Sequence, residues 1–178
     1  MPGSASLRAM TTFTVRLPRH QARLVALAVG YHLSRPGAEI DPDSMREYTH
    51  GLAEVLPLID AQVDAEVAAL DLNPTQAVLL STAFSSVLSE LKMYSLSDSM
   101  AADSSRPRSA AAGFDDRLRW LFPEIAGDPA YAMVLAEDLT MLRRELPSQR
   151  AREVLTEERS AAAEAKKRRG RWWQVWRR

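Results

Sequence analysis

The chain has no cysteine among its 178 residues. That excludes a disulfide framework, a thiolate metal site and a cysteine nucleophile. Glycine is scarce, with seven residues, and none falls into a Gly-x-Gly-x-x-Gly or other phosphate-cradling loop. No Gly-x-Ser-x-Gly elbow presents a serine for nucleophilic attack. Three histidines are present, and one of them makes a Glu-x-x-His pair, Glu47 to His50. Four-helix di-iron proteins use that pair twice. His20 and His32 have no glutamate three residues before them, so a second copy is missing, and the pair reads as a surface ion pair. The expectation is a protein with no cofactor, no metal ligands and no catalytic residues: not an enzyme.

Long hydrophobic runs are absent as well. The longest, Leu24 to Leu33, is about half of the ~20 residues needed to cross a bilayer. Residues 1–10 carry one basic side chain and no apolar run of signal-peptide length, and read as a flexible N-terminus. A cytoplasmic location is expected, with attachment at the membrane periphery left open and no transmembrane segment.

What is present is a chain of one-domain length, 46% hydrophobic, enough for a packed interior. Residues 12–17 alternate, with Phe13, Val15 and Leu17 on one face, and form the single strand expected. Pro18 suits the first turn of a helix carrying Leu24, Leu27, Ala28 and Tyr31, which Arg35-Pro36-Gly37 ends. Asp41-Pro42, Asn73-Pro74 and Asp128-Pro129 each place a capping side chain before a proline, and mark three later helix starts. A helical region over 43–70 has the stripe Leu52, Val55, Leu56, Ile59, Val63 and Val67, kinked or split at Pro57. The next, 74–96, buries Val78, Leu79, Ala83, Val87, Leu88 and Leu91, and its serine-rich polar face suggests contact with another helix.

Residues 97–112 lack an apolar period and read as a mobile linker. Helices are expected at 115–122, 129–145 and 148–168. The fold class is therefore all-α: a bundle of five or six helices with a short N-terminal strand or extended arm. It divides into a helical domain over 11–147 and, over 148–178, a projecting helix with a basic, Trp-rich tail.

That tail is the most distinctive segment. Seven of the 23 basic residues and none of the 23 acids lie from Lys166 onward, so a formal net charge of zero hides a basic tail on an acidic body. The cations are Lys166, Lys167, Arg168, Arg169, Arg171, Arg177 and Arg178, interleaved with Trp172, Trp173 and Trp176. If helical, 171–178 would separate its tryptophans from its arginines, a two-turn end too short to be stable alone in water. Three tryptophans present roughly 450–750 Å² of surface, more than most monomers leave exposed in one patch.

Three partners suit this chemistry. On an anionic membrane, seven charges at about 1 kcal/mol each give at most ~7 kcal/mol, a Kd near ~10 µM. On nucleic acid, arginines would meet phosphates and tryptophans would stack on unpaired bases, with a salt slope of about −6 if all seven cations engaged a duplex. A protein partner, a second copy or the chain's own acidic body needs neither, and Trp and Arg are enriched at interface hot spots. The leading expectation is thus a non-enzymatic interaction or adaptor protein that docks through these ten tail residues.

The N-terminal segment supplies an alternative. Thr12-Phe-Thr-Val-Arg-Leu-Pro18, followed by a Leu24-x-x-Leu27-Ala28 helix and a turn at Ser34-Arg35, resembles the start of ribbon–helix–helix DNA-binding proteins. The resemblance implies a dimer whose strands pair across the axis and enter the major groove. Thr12, Thr14 and Arg16 would then read bases while Phe13, Val15 and Leu17 pack inward.

Overall fold

The structure is a computed structural model that describes residues 11–35, 51–100 and 113–175; the side chains of 96–100 and 168–175 lie outside that description. In chain order it contains β1 (Phe13–Pro18), α1 (Arg19–Ser34), α2 (Leu52–Asp60), β2 (Val67–Leu72), α3 (Pro74–Met100), α4 (Phe114–Leu121), a 3₁₀ turn (Pro123–Ala126), α5 (Tyr131–Glu145) and α6 (Ser148–Val175). The described chain is mostly helical, with one two-stranded sheet.

Helix α1 is the axis of the core. Leu24 through Gly30 are buried without interruption, the pattern of a helix enclosed on all sides. Against it pack α2, α3, α4, α5 and the sheet. Two arginines tie α4 into this core. Arg23 donates to the Leu121 carbonyl (3.2 Å) and to Asp64 (2.8 Å). Arg117 donates from Nε to the Ala26 carbonyl (3.1 Å) and pairs with Asp60 at the end of α2. Its side chain crosses α1 at Gly30, where an added Cβ would lie 2.3 Å from Nε. A side chain at this position would force the Arg117 side chain to shift.

The second strand was not expected. Residues 61–72 leave the anticipated 43–70 helix after Asp60, and 67–72 pair antiparallel with β1 in the register Phe13↔Leu72 to Pro18↔Val67. Ala68, Leu70 and Leu72 are buried while Val67, Ala69 and Asp71 are exposed, a period of two. Alanine at two of the six positions weakens that signal in the sequence. Val67 is 55% exposed rather than part of a helical stripe, while Val63 is buried as expected. Pro57 neither splits nor ends α2, which runs on to Asp60. A turn then places the Gln62 carboxamide on the β2 backbone: Oε1 accepts from Ala69 N–H (3.0 Å) and Nε2 donates to Ala69 C=O (3.3 Å).

Other boundaries shift less. Pro18 closes β1, one residue before α1 begins. Asn73 and Gln76 form a reciprocal capping box at α3: Asn73 Oδ1 accepts from Gln76 N–H (2.8 Å) and Gln76 Oε1 from Asn73 N–H (2.9 Å). Asp128 accepts from Ala130 N–H (3.0 Å), and the regular part of α5 starts at Tyr131. Helix α3 runs to Met100, so 97–100 are helical rather than linker; elongating a formed helix costs little compared with nucleating one. Residues 1–10, Asp41-Pro42, Glu47 with His50, and 101–112 lie outside the described residues. The serine face of α3 does meet another helix, with Arg143 of α5 donating to Ser85 (2.8 Å).

Candidate functional site

Two places collect the residues singled out by sequence. The first is α6. It leaves the α5 corner at Leu146-Pro147 and packs its first turns on α3, with Ala151 buried and Val154 and Leu155 half-buried. From Thr156 to Lys167 every side chain is exposed. Twelve such residues amount to ~18 Å of helix that stays exposed beside the other described residues. Lys166 and Lys167 stand at the end of this stretch. The helical backbone continues unbroken to Val175, through Arg168, Arg169, Arg171, Trp172 and Trp173, whose side chains lie outside the described residues. Trp176, Arg177 and Arg178 are also outside them. The helix thus extends seven residues beyond the expected end at 168, through Arg169-Gly-Arg-Trp-Trp-Gln-Val175, since elongating a formed helix costs little compared with nucleating one.

The second place is β1. Arg19 N–H donates to the Glu66 carbonyl (3.1 Å), one step beyond the Pro18↔Val67 pair. In an antiparallel ladder hydrogen-bonded pairs alternate with non-bonded ones. Phe13, Val15 and Leu17 therefore exchange bonds with β2, while the main-chain N–H and C=O of Thr14 and Arg16 point away from it. The Gln62 clamp on Ala69, the partner of Arg16, confirms this phase from the other strand. On the outward face the Thr14 hydroxyl donates to Asp71 (2.6 Å).

Beside the outer edge of β1 lies a groove of about 510 Å³, closed on the far side by Leu142, Glu145, Leu146 and Pro147 of the α5–α6 corner. Thr12, Thr14 and Arg16 all line it. The structure thus brings the three together at a strand already paired on one side within its own chain, with Thr12 one residue before its start. The far wall, some 130 residues away in sequence, had no signal that reading along the chain could detect.

A third cluster went unnoticed in the sequence. His20 Nε2 is 2.8 Å from Asp138 Oδ2, both 44% exposed, and the ring meets Phe122 edge-on at 5.6 Å. The Tyr131 hydroxyl is pushed up by burial and then by Glu124 and Asp138. The pair clasps α1 to α5; among the described residues no hydroxyl is bonded to the His20 ring. Tyr31 donates to Glu90 (2.8 Å), and burial followed by that carboxylate raises its pKa to about 12. His32 is pushed down, by burial and then by Arg35, with its Nδ1 buried and unpartnered.

Among the described residues no three or more His, Asp or Glu gather as metal ligands, and no helix is long and apolar enough to cross a membrane. Trp120 is 58% exposed with the Arg117 guanidinium 5.8 Å from its ring. No protein-family model, curated protein or solved structure matches the chain.

Proposed function

We propose that this is a non-enzymatic interaction protein whose helical body holds out a basic, aromatic arm for docking on a partner protein. The observation that carries the reading is the continuous exposure of α6 from Thr156 to Lys167. A helix with that much bare surface contributes little to the core, and its run of Ala, Glu, Lys and Arg, all good helix formers, lets it stand as a helix. Its geometry suits a spacer that keeps the cations and tryptophans beyond Lys167 away from the acidic body. Docking would then order Trp172, Trp173 and Trp176 at the centre of an interface, with arginines around them meeting acidic groups.

A photo-crosslinker in place of Trp173 tests this in cells. The reading expects crosslinks to a second protein, lost when the seven tail cations are replaced by glutamine. Crosslinks confined to the chain's own residues 11–147 would make the tail part of the body and overturn it. Crosslinks only to lipid, with tryptophan emission blue-shifted by anionic vesicles and restored by salt, would replace the protein partner with a membrane surface.

A further inference from the structure

The two edges of the small sheet are finished differently. At β2 the Gln62 side chain supplies one donor and one acceptor to Ala69, doing for that edge what a neighbouring strand would do. At β1 nothing equivalent is present: among the described residues no hydrogen bond closes the outward N–H and C=O groups of Thr14 and Arg16. Exposed edges of this kind are usually blunted by charge, proline or cover. This edge carries the Arg16 charge and ends at Pro18, which still leaves the outward groups of Thr14 and Arg16 open, and it is set back in a groove with the α5–α6 corner facing it.

We propose that this edge is a binding site for an extended peptide of a partner protein, which adds to β1 as a third strand. The occupant follows from the chemistry of the walls. Donors and acceptors at Thr14 and Arg16 repeat every two residues, about 6.6 Å, and an extended backbone presents complementary groups at the same repeat. The inner side of the groove is apolar, with half-buried Phe13 and Val15 and buried Leu142 and Leu146. The peptide therefore carries aliphatic side chains at alternate positions, on the face of the sheet that it shares with Phe13 and Val15. On the outer side Arg16 is exposed and makes no ion pair among the described residues, so an acidic residue of the peptide belongs beside it.

A groove of about 510 Å³ lies within the range of small ligand sites. It admits a single short strand. The α5–α6 corner stands across this groove, which leaves less room for the whole sheet of a second copy than for a single peptide strand. The site is separate from the α6 arm, and its test is independent of the arm's role.

The probe is a panel of capped six-residue peptides that alternate Val or Ile with Thr, Glu or Lys, titrated into the isotope-labelled full chain to about 1 mM. The expected result is slowed hydrogen exchange and shifted resonances at the Thr14 and Arg16 amides, at least tenfold weaker when the peptide amides that face β1 are N-methylated. Thr14→Pro removes one outward N–H and leaves the Phe13, Val15 and Leu17 bonds to β2 in place; it should abolish binding, whereas Thr14→Val should keep it. Equal binding of the N-methylated peptides, or no response at these amides from any peptide, overturns the proposal. So does concentration-dependent protection of Thr14 and Arg16 without peptide, which would give the edge to a second copy. The N-methylated peptides keep the test valid should Thr14→Pro fail to fold.

Discussion

At Gly30 two rules of residue chemistry oppose each other. Alanine is the better helix former by about 1 kcal/mol, but its methyl would occupy the path of Arg117 across α1. That path delivers a guanidinium to the Ala26 carbonyl and to Asp60, and displacing it strands partly buried charge. Gly30→Ala should therefore lower stability by about 1–2 kcal/mol in urea unfolding, net of the helix gain. His32 gives a pH dependence of definite sign. Burial holds its folded pKa below the ordinary 6.5, so the unfolded chain takes up the proton first. Its contribution is complete above about pH 6.5 and declines as the pH falls below it, until the folded pKa is passed. His32→Phe should flatten the stability profile between about pH 7 and pH 5 relative to the parent chain.

Among the elements, α3 shows the clearest link between a local signal and its effect. Asn73, Pro74 and Gln76 form its entire start, and Gln76 also donates to the Gly51 carbonyl (3.1 Å), joining the cap to the beginning of α2. Asn73→Ala removes one half of the reciprocal pair and should cost about 0.5–2 kcal/mol, read as a lower thermal midpoint with unchanged helical content. The sheet behaves differently. It is held by cross-strand pairs such as Val15↔Leu70 and Leu17↔Ala68, whose inner faces rest on the core. An isolated two-stranded ribbon is marginal in water, so β1 and β2 persist because the helices cover their inner face. The ribbon–helix–helix resemblance implies that β1 pairs with β1 of a second copy; here β2 of its own chain pairs with one side of it. The acidic side chain of Asp71 beside Thr14 also gives that face a neighbour unfavourable to phosphate.

For the molecule as a whole, the question is whether body and arm are energetically separate. The packed part ends with Ala151 and the half-buried Val154 and Leu155. A chain truncated after Ala165 should keep its melting temperature within about 2 °C, since surface changes away from the core are usually within ±0.5 kcal/mol. It should lose helical ellipticity in proportion to the removed turns. A large drop in melting temperature would mean that the tail packs on the body, and would end the tethering proposal. If the tail does engage an acidic partner, added salt should weaken that complex while leaving the body's stability nearly unchanged, because the exposed charges are screened and the buried contacts are not.

Local chemistry was sufficient for much of this. The alternation of 12–17, the Asn73-Pro74 start, the helices at 114–121 and 131–145 and the bare arm after Leu155 all follow from nearest neighbours along the chain. Each depends on periodicity or on a cap within four residues. The charge separation between body and tail is likewise a property of the sequence. Tertiary structure decided what depends on distant partners. The segment 67–72 is a strand because β1 and the core stand beside it, although its alanines suit a helix equally well. Arg117 passes over Gly30, His20 meets Asp138, and the groove at β1 has a wall from the α5–α6 corner; each pairing closes a loop of about 90 residues or more. No pattern within a turn of helix or a strand's length encodes such closures, because only packing brings those surfaces together.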